Sequence, residues 1–140
     1  MSKKLFVDSD IILDILAERD TFYQYAAELF ELGYTGKIHL YTTAVILANV
    51  FYILQKKIGA EKSKELLKKL RRVLKVLPVT EKNVDDALRS RFSDFEDGLQ
   101  YFSAKENNIP VLITRNVRDY AERDLVVQTA EEYLKSKPEE

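Results

Sequence analysis

Acidic and amide side chains occur at three separated points of the sequence and could together bind a metal ion. One point is Asp8, the second is Asp94 with Asp97, and the third is Asn116 with Asp119. Oxygen ligands without histidine or cysteine select Mg²⁺ or Mn²⁺. Such an ion activates a water molecule and stabilises the leaving oxygen of a phosphodiester. The pattern predicts metal-dependent phosphodiester hydrolysis if the fold brings the three points together.

The same acids also have a purely structural interpretation. Asp8 or Ser9 would cap the helix that follows, and Asp94 with Asp97 has the spacing of a capping pair at a helix N-terminus. However, Glu96 brings the number of acids within residues 94–97 to three, which is more than a cap requires. If all these acids were caps, Asp8→Asn would leave the function of the protein unchanged.

Strand and helix patterns alternate along the chain and would position these side chains. Apolar runs at 5–7 and 109–113 predict buried strands that end close to Asp8 and Thr114, and shorter strands are expected at 38–41, 76–79 and 125–127. Apolar residues at helical spacing predict the helices between them. The predicted helices cover 11–16, 23–32, 45–54, 61–77, 81–89, a segment after Asp94, and 133–134, with caps at Thr42 or Thr43, Thr80 and Thr129.

This alternation predicts an α/β fold with a mainly parallel central sheet flanked by helices on both sides. We expect a single domain over residues 1–140, with 136–140 as a frayed tail. Ligands of parallel sheets bind at the carboxyl ends of the strands. The three acidic points are therefore expected to meet at one edge of the sheet.

The composition excludes several kinds of site. The chain has no cysteine, so disulfides, zinc–thiolate sites and cysteine catalysis are excluded, and its one histidine, His39, is expected to be structural. No glycine-rich phosphate loop is present, so no nucleotide cofactor is expected. There is no signal peptide or long apolar run, and we therefore expect a cytoplasmic protein without a membrane segment.

The net charge of −1 conceals an uneven distribution of charge along the chain. Residues 1–36 hold three basic and seven acidic side chains, whereas residues 56–75 hold nine basic and two acidic ones. The simpler interpretation of the basic segment is a solvated helix face. The alternative is a surface that follows RNA phosphates beside the acidic site. Its candidate residues are Lys62, Lys68, Lys69, Arg71 and Arg72, together with Arg115.

Three segments together resemble the PIN-domain family and, within it, the VapC-type toxins of toxin–antitoxin pairs. They are residues 6–14, 94–101 and 113–120, and the resemblance extends over residues 4–134. It implies a ribonuclease that needs Mg²⁺ or Mn²⁺ and leaves 5′-phosphate and 3′-hydroxyl ends. It further implies a homodimer whose acidic cleft is blocked by a cognate antitoxin protein.

The resemblance also implies roles for individual residues. Asp8 and Asp97 would hold the metal, with help from Asp119 or Asn116 at the last acidic position. Asn49 stands where the family usually has a glutamate, although asparagine is common there in one subgroup. Asn116 stands where many members have an aspartate. Both amides are expected at catalytic positions. Supporting roles around the ligands are expected for three more residues, Asp94, Asp10 and Thr114.

The two amides have a consequence for metal affinity. Asparagine offers an oxygen without charge, so we expect weaker metal binding than at a site with four acids. The same departures favour an alternative function, a catalytically weakened PIN-fold module that binds RNA or protein. A large gain of cleavage on replacing Asn49 by Glu and Asn116 by Asp would indicate such a degenerated enzyme.

Overall fold

The computed structural model describes residues 3–136, in which strands and helices alternate. The strands are β1 (Lys4–Val7), β2 (His39–Thr43), β3 (Leu74–Leu77), β4 (Val111–Ile113) and β5 (Val126–Gln128). The helices are α1 (Ser9–Leu16), α2 (Tyr23–Tyr34), α3 (Ala44–Ile58), α4 (Ala60–Leu70), α5 (Glu81–Arg89), α6 (Phe95–Glu106) and α7 (Ala130–Ser136). A 3₁₀ turn covers Val117–Asp119 between β4 and β5.

The strands form one parallel sheet in the order β3-β2-β1-β4-β5. The central strand β1 pairs on one side with β2, where Leu5 is opposite Leu40, and on the other with β4, where Leu5 is opposite Val111. Leu5, Phe6 and Val7 are all buried, as expected for a parallel strand that is covered on both faces. The predicted fold class is confirmed.

The direction of the chain across the sheet changes once, at β1 and β4. From β1 the chain moves outward to β2 and then β3, and these connections carry α1 to α4. It then returns past β1 to β4 through α5 and α6, which pack against each other. Because such connections are right-handed, the two directions place their helices on opposite faces of the sheet. The carboxyl ends of β1 and β4 therefore form the switch point where ligands bind in this architecture.

The helices begin at the caps that the sequence predicted. Thr43, and not Thr42, caps α3, and Thr80 forms a capping box with Asn83 at the start of α5. Thr129 exchanges hydrogen bonds with Glu132 at the start of α7 in the same way. Between residues 3 and 136, no helix has the length and apolar character needed to cross a membrane.

The helix predicted over residues 61–77 is wrong from residue 71 onward, and the strand predicted at 76–79 lies at 74–77 instead. Helix α4 ends at Leu70, and Leu74 begins β3 directly opposite Leu40 of β2. The apolar residues of 73–77 continue the helical spacing. They are extended because their backbone N–H and C=O groups form hydrogen bonds with β2. At the C-terminus, Ser136 is the last residue of α7 and not part of a tail, while 137–140 lie outside the described residues.

Thr43→Val should destabilise the fold more than Thr80→Val. The buried Thr43 hydroxyl accepts from the backbone N–H of Ile46 and donates to Gln100 Oε1 at 2.7 Å. Losing a cap costs about 1 kcal/mol, and a buried acceptor left without its donor costs about 1–3 kcal/mol more. Thr80 has a capping role, but its hydroxyl donates to the exposed Glu106. Urea unfolding measures the two losses, and equal losses would contradict this account.

Candidate active site

Backbone pairing at the end of the sheet brings Asp8 and Thr114 to the same edge. The Asp8 N–H donates to the carbonyl of Ile113, the last residue of β4, at 3.0 Å. The Thr114 N–H donates in turn to the carbonyl of Gln128, the last residue of β5, at 3.0 Å. Residues from both ends of the chain are thus held side by side at the predicted ligand-binding edge.

Asp8 is a buried carboxylate that is held by three donors. Its Oδ1 accepts from the Ser9 N–H at 2.7 Å, and its Oδ2 accepts from the Thr114 hydroxyl and the Tyr120 hydroxyl at 3.0 Å each. Burial raises the pKa of Asp8, while these hydrogen bonds favour the charged form. An ionised carboxylate has about four acceptor sites, so about one remains for a cation.

Asp97, in the first turn of α6, lies within the electric field of the other acids. Burial is the largest cause that raises its pKa to about 7. The negative charges that raise it further belong to Asp8, Asp94, Asp119 and Glu96. The fold therefore concentrates negative charge from three separate parts of the chain, and a bound cation would relieve the repulsion.

Asp94 fits both interpretations that the sequence left open. Its side chain accepts from the Asp97 N–H at 3.0 Å and caps α6. Its charge also raises the pKa of Asp8, the residue at the end of β1. Capping and participation in the acidic cluster are therefore not exclusive.

Asp10 fastens the segment after β4 to the start of α1. Its Oδ2 accepts from the Arg115 N–H at 3.0 Å and from Asn116 Nδ2 at 3.2 Å, and Thr114 Oγ1 lies 3.4 Å away. Burial, followed by the charge of Asp8, raises the pKa of Asp10 to about 7. Its Oδ1 is buried and has no hydrogen-bond partner among the described residues.

Comparison with known proteins identifies the family that shares this arrangement. A family model described as a PIN domain matches residues 4–118. The chain belongs to the PIN-domain family. Among curated proteins, Ribonuclease VapC1 of Aquifex aeolicus (strain VF5) is 29% identical over 137 residues, which cover 94% of each chain.

Solved structures share the fold of this PIN domain over most of its length. A structure of VapBC2 from Rickettsia felis bound to a DNA fragment from their promoter matches with a TM-score of 0.69 and 17% identity, covering 90% of this chain and 98% of that one. VapBC-1 from nontypeable Haemophilus influenzae also gives a TM-score of 0.69, with 20% identity, 91% of this chain and 98% of that one. The family resemblance found in the sequence is confirmed.

The two residues considered for the last acidic position of the PIN domain, Asp119 and Asn116, have different surroundings in the structure. The negative charge of Asp119 acts on Asp97, as a neighbouring ligand would. Asn116 instead uses its amide nitrogen to bind Asp10. Asn116 therefore helps to hold the Asp10 carboxylate in place, and its own catalytic role stays a prediction.

No hydrogen bond connects Asn49 with the acids in the part of the chain that the structure describes. It is half-buried on α3, and its side chain forms no hydrogen bond with residues 3–136. The start of α3 is nevertheless joined to α6 through Thr43 and Gln100. Gln100 is buried and its Nε2 has no partner within the described chain. A catalytic role for Asn49 stays a prediction.

The basic residues proposed for RNA binding do not form one surface beside the acids. Arg71 and Arg72 lie just before β3, at the amino end of the sheet, whereas Asp8 lies at the carboxyl end. The α4 lysines Lys62, Lys68 and Lys69 are exposed. Their role in RNA binding stays a prediction.

Arg115 is engaged within the protein. Its Nε lies 3.1 Å from Asp14 Oδ2, and its guanidinium lies 4.1 Å from the centre of the Phe22 ring. Asp14 was not predicted to belong to the site. The available signal in the sequence was an acid directly after the apolar residues 11–13, which are buried in α1.

Tyr120 is a site residue that lies within the segment 113–120 of the resemblance but for which no role was predicted. It is 2% exposed, and its ring packs edge-on against Phe92 with the centroids 5.6 Å apart. Burial, with the charges of Asp8 and Asp97, raises its pKa well above the usual value, so the hydroxyl stays protonated and donates to Asp8. A tyrosine directly after Asp119, in a polar segment, was the available signal.

The side chains at this edge fit a small set of metal ligands. Between residues 3 and 136, no group of three or more histidine, cysteine, aspartate or glutamate residues is arranged to hold a metal ion. Mg²⁺ typically binds one or two carboxylates and completes its coordination with water and substrate phosphate. Asp8, with a free acceptor site, and Asp97, whose pKa is raised by burial and then by the neighbouring negative charges, provide such a pair. An all-oxygen set fits Mg²⁺ or Mn²⁺.

Without metal, the fold should lose stability as the pH rises from about 4 to about 7. Asp10 and Asp97 bind protons in the folded state up to a pKa of about 7, whereas the unfolded chain releases them near their ordinary pKa. In EDTA, the Tm should therefore be lower at about pH 8 than at about pH 5. Asp97→Asn should reduce this difference.

Asp86→Asn is the matched control for this measurement. Lys82 and Arg89 lower the pKa of Asp86, so it stays ionised over the whole range. The substitution should leave the pH dependence unchanged. If the Tm in EDTA does not decrease from about pH 5 to about pH 8, the raised pKa values assigned to Asp10 and Asp97 are contradicted.

Proposed function

We propose that this PIN domain is a metal-dependent endoribonuclease that hydrolyses RNA phosphodiester bonds and acts as the toxin of a toxin–antitoxin pair. The observation that carries the proposal is the convergence of Asp8 and Asp97 where β1, β4 and α6 meet. A relative of similar length is named a ribonuclease, and the neighbouring structures are VapBC proteins, which supports the proposal.

Asp8 and Asp97 would hold Mg²⁺ or Mn²⁺, and Asp119 adds negative charge beside them. When bound, the metal supplies an activated water and stabilises the leaving oxygen. The hydroxyls of Thr114 and Tyr120 fix the orientation of the Asp8 carboxylate. Cleavage would leave 5′-phosphate and 3′-hydroxyl ends.

Asp10 acts on the geometry of the site. Asp10 accepts hydrogen bonds from the Arg115 N–H and the Asn116 amide, and so fixes the path of the segment 114–119 after β4. The Asp119 N–H donates to the Asn116 carbonyl at 2.9 Å, so the position of Asn116 is passed on to Asp119. Exact placement of ligands matters because small displacements of reacting groups lower rates strongly.

The same site suggests the partners of the protein. RNA is the substrate, and a cognate antitoxin would block the acidic edge with cationic side chains, which match its charge. A homodimer would cover apolar side chains that α3 leaves exposed, Tyr52, Ile53 and Ile58. We place this activity in the cytoplasm, where its substrate and antitoxin would meet it.

A second candidate function is a PIN-fold module that binds RNA or protein and has weakened catalysis. The observation that favours it is the uncharged Asn49, which forms no hydrogen bond with the acids among the described residues. The two functions differ in whether purified protein cleaves RNA.

Cleavage of a mixed RNA pool tests the proposed function. Purified, antitoxin-free protein should cut RNA with Mg²⁺ or Mn²⁺, and EDTA should abolish the cleavage. A variant with both Asp8→Asn and Asp97→Asn should lose at least about 100-fold in rate, because both proposed metal ligands lose their charge. Folded protein that cuts no RNA with either metal would favour the binding module.

Asn49→Glu and Asn116→Asp should affect the metal differently. If Asn49 lies at the site, a glutamate there adds a charged oxygen and should raise Mg²⁺ affinity about tenfold. Asn116→Asp should not raise it, because the new carboxylate would face Asp10 and lose the present hydrogen bond. Isothermal titration with Mg²⁺ measures both. Tight binding by the parent protein would contradict the expected weakness of its site.

A further inference from the structure

A buried ion pair connects the middle of the first helix to the segment after β4. Asp14 of α1 is 1% exposed, and Arg115 Nε lies 3.1 Å from its Oδ2. Arg115 directly follows Thr114, whose hydroxyl donates to Asp8. The backbone N–H of Arg115 donates to Asp10. Arg115 is therefore anchored to two turns of α1, through its side chain to Asp14 and through its backbone N–H to Asp10.

The guanidinium of Arg115 is also held from the other side. It lies 4.1 Å from the centre of the Phe22 ring, within the range of a cation–π contact. Phe22 ends the turn between α1 and α2, where Glu18 has φ 48° and Thr21 has φ 77°. Positive φ is unfavourable for a β-branched residue and persists only where the surroundings impose it. The turn thus keeps a costly conformation while Phe22 lies on Arg115.

Stability alone does not account for this pair. Asp14 Oδ1 and Arg115 Nε are buried, and neither has a partner with hydrogen-bond geometry among the described residues, so the 3.1 Å contact is electrostatic. In a buried ion pair, the attraction between the charges offsets the free energy of desolvation only when the hydrogen bonds of both groups are complete. Apolar residues of similar size would often serve stability equally well.

The effect of the pair extends along the segment 114–119. The Asn116 N–H donates to Thr114 Oγ1 at 3.1 Å, and the Asp119 N–H donates to the Asn116 carbonyl at 2.9 Å. Displacing Arg115 would therefore move both the hydroxyl that holds Asp8 and the turn that carries Asp119. These are the groups that flank the proposed metal ligands.

We propose that Asp14 and Arg115 are positioning residues for the catalytic edge. Their ion pair, covered by Phe22, fixes the segment 114–119 so that Thr114 holds Asp8 and Asp119 faces Asp97. This inference rests on the proposed ribonuclease function. It gives Arg115, which the sequence suggested for RNA binding, a role inside the protein.

Arg19 offers a matched control within the same contact. Its Nη1 lies 3.9 Å from Asp14 Oδ1, and its side chain is 33% exposed, close to the 28% of Arg115. Arg19 belongs to the turn after α1 and, among the described residues, forms no hydrogen bond or ion pair with the segment 114–119. If Asp14 only required a counter-ion, loss of either arginine would have similar effects.

Arg115→Gln and Arg19→Gln are compared by two measurements. The first is backbone amide hydrogen exchange in metal-free protein at residues 115, 116 and 119, which reports local opening of the segment. The second is the separation of kcat from KM for RNA cleavage. Arg115→Gln should speed exchange at these amides and lower kcat, each by at least about tenfold, with KM changed less than about twofold. Arg19→Gln should change neither measurement by more than about twofold.

Phe22→Leu is the second variant if Arg115→Gln does not fold. It removes the ring contact but keeps the ion pair. It should speed amide exchange at residues 115, 116 and 119 and lower kcat, each by less than Arg115→Gln does. Equal effects of the two arginine variants, or faster exchange with unchanged kcat, would overturn the proposal. If the parent protein cleaves no RNA, the proposed function fails, and exchange alone decides: a selective increase at 115–119 supports the positioning role, and its absence overturns it.

Discussion

The pairing of β1 with β4 is the constraint on which the rest of the structure depends. The two strands lie side by side where the chain reverses its direction across the sheet, and the Asp8 N–H continues their ladder onto Ile113. Both strands are short and largely buried on both faces, so a shift of register by one residue would exchange the side chains packed on the two faces of the sheet. The register that packs the core therefore also aligns Asp8 with Thr114.

The site concentrates negative charge at a cost in stability that the surrounding structure limits. Asp10 and Asp97 both have pKa values raised to about 7, which means that their ionised forms are unfavourable in the folded protein without a cation. Donors from Ser9, Thr114 and Tyr120 offset part of this cost at Asp8. Strained or electrostatically unfavourable groups that persist in a fold commonly mark functional sites.

Particular residues show how far the sequence predicted the structure. Caps at Thr80 and Thr129 were found because capping depends on side chains within three residues of each other. The end of α4 was missed because the leucines near 74 continue a helical spacing, and only pairing with β2 decides that they form a strand. Arg115 was assigned to RNA because its charge is visible in the sequence, whereas its partner Asp14 is not adjacent to it.

The sequence by itself determined the alternation of strands and helices, the acids that follow two of the strands, and membership of the PIN-domain family. These properties depend on local patterns and on residue types. Only the tertiary structure decided that Tyr120 donates to Asp8, 112 residues away, and that Asn116 binds Asp10. Such contacts require elements far apart in the chain to be placed to within a few tenths of an ångström, which neither spacing nor composition specifies.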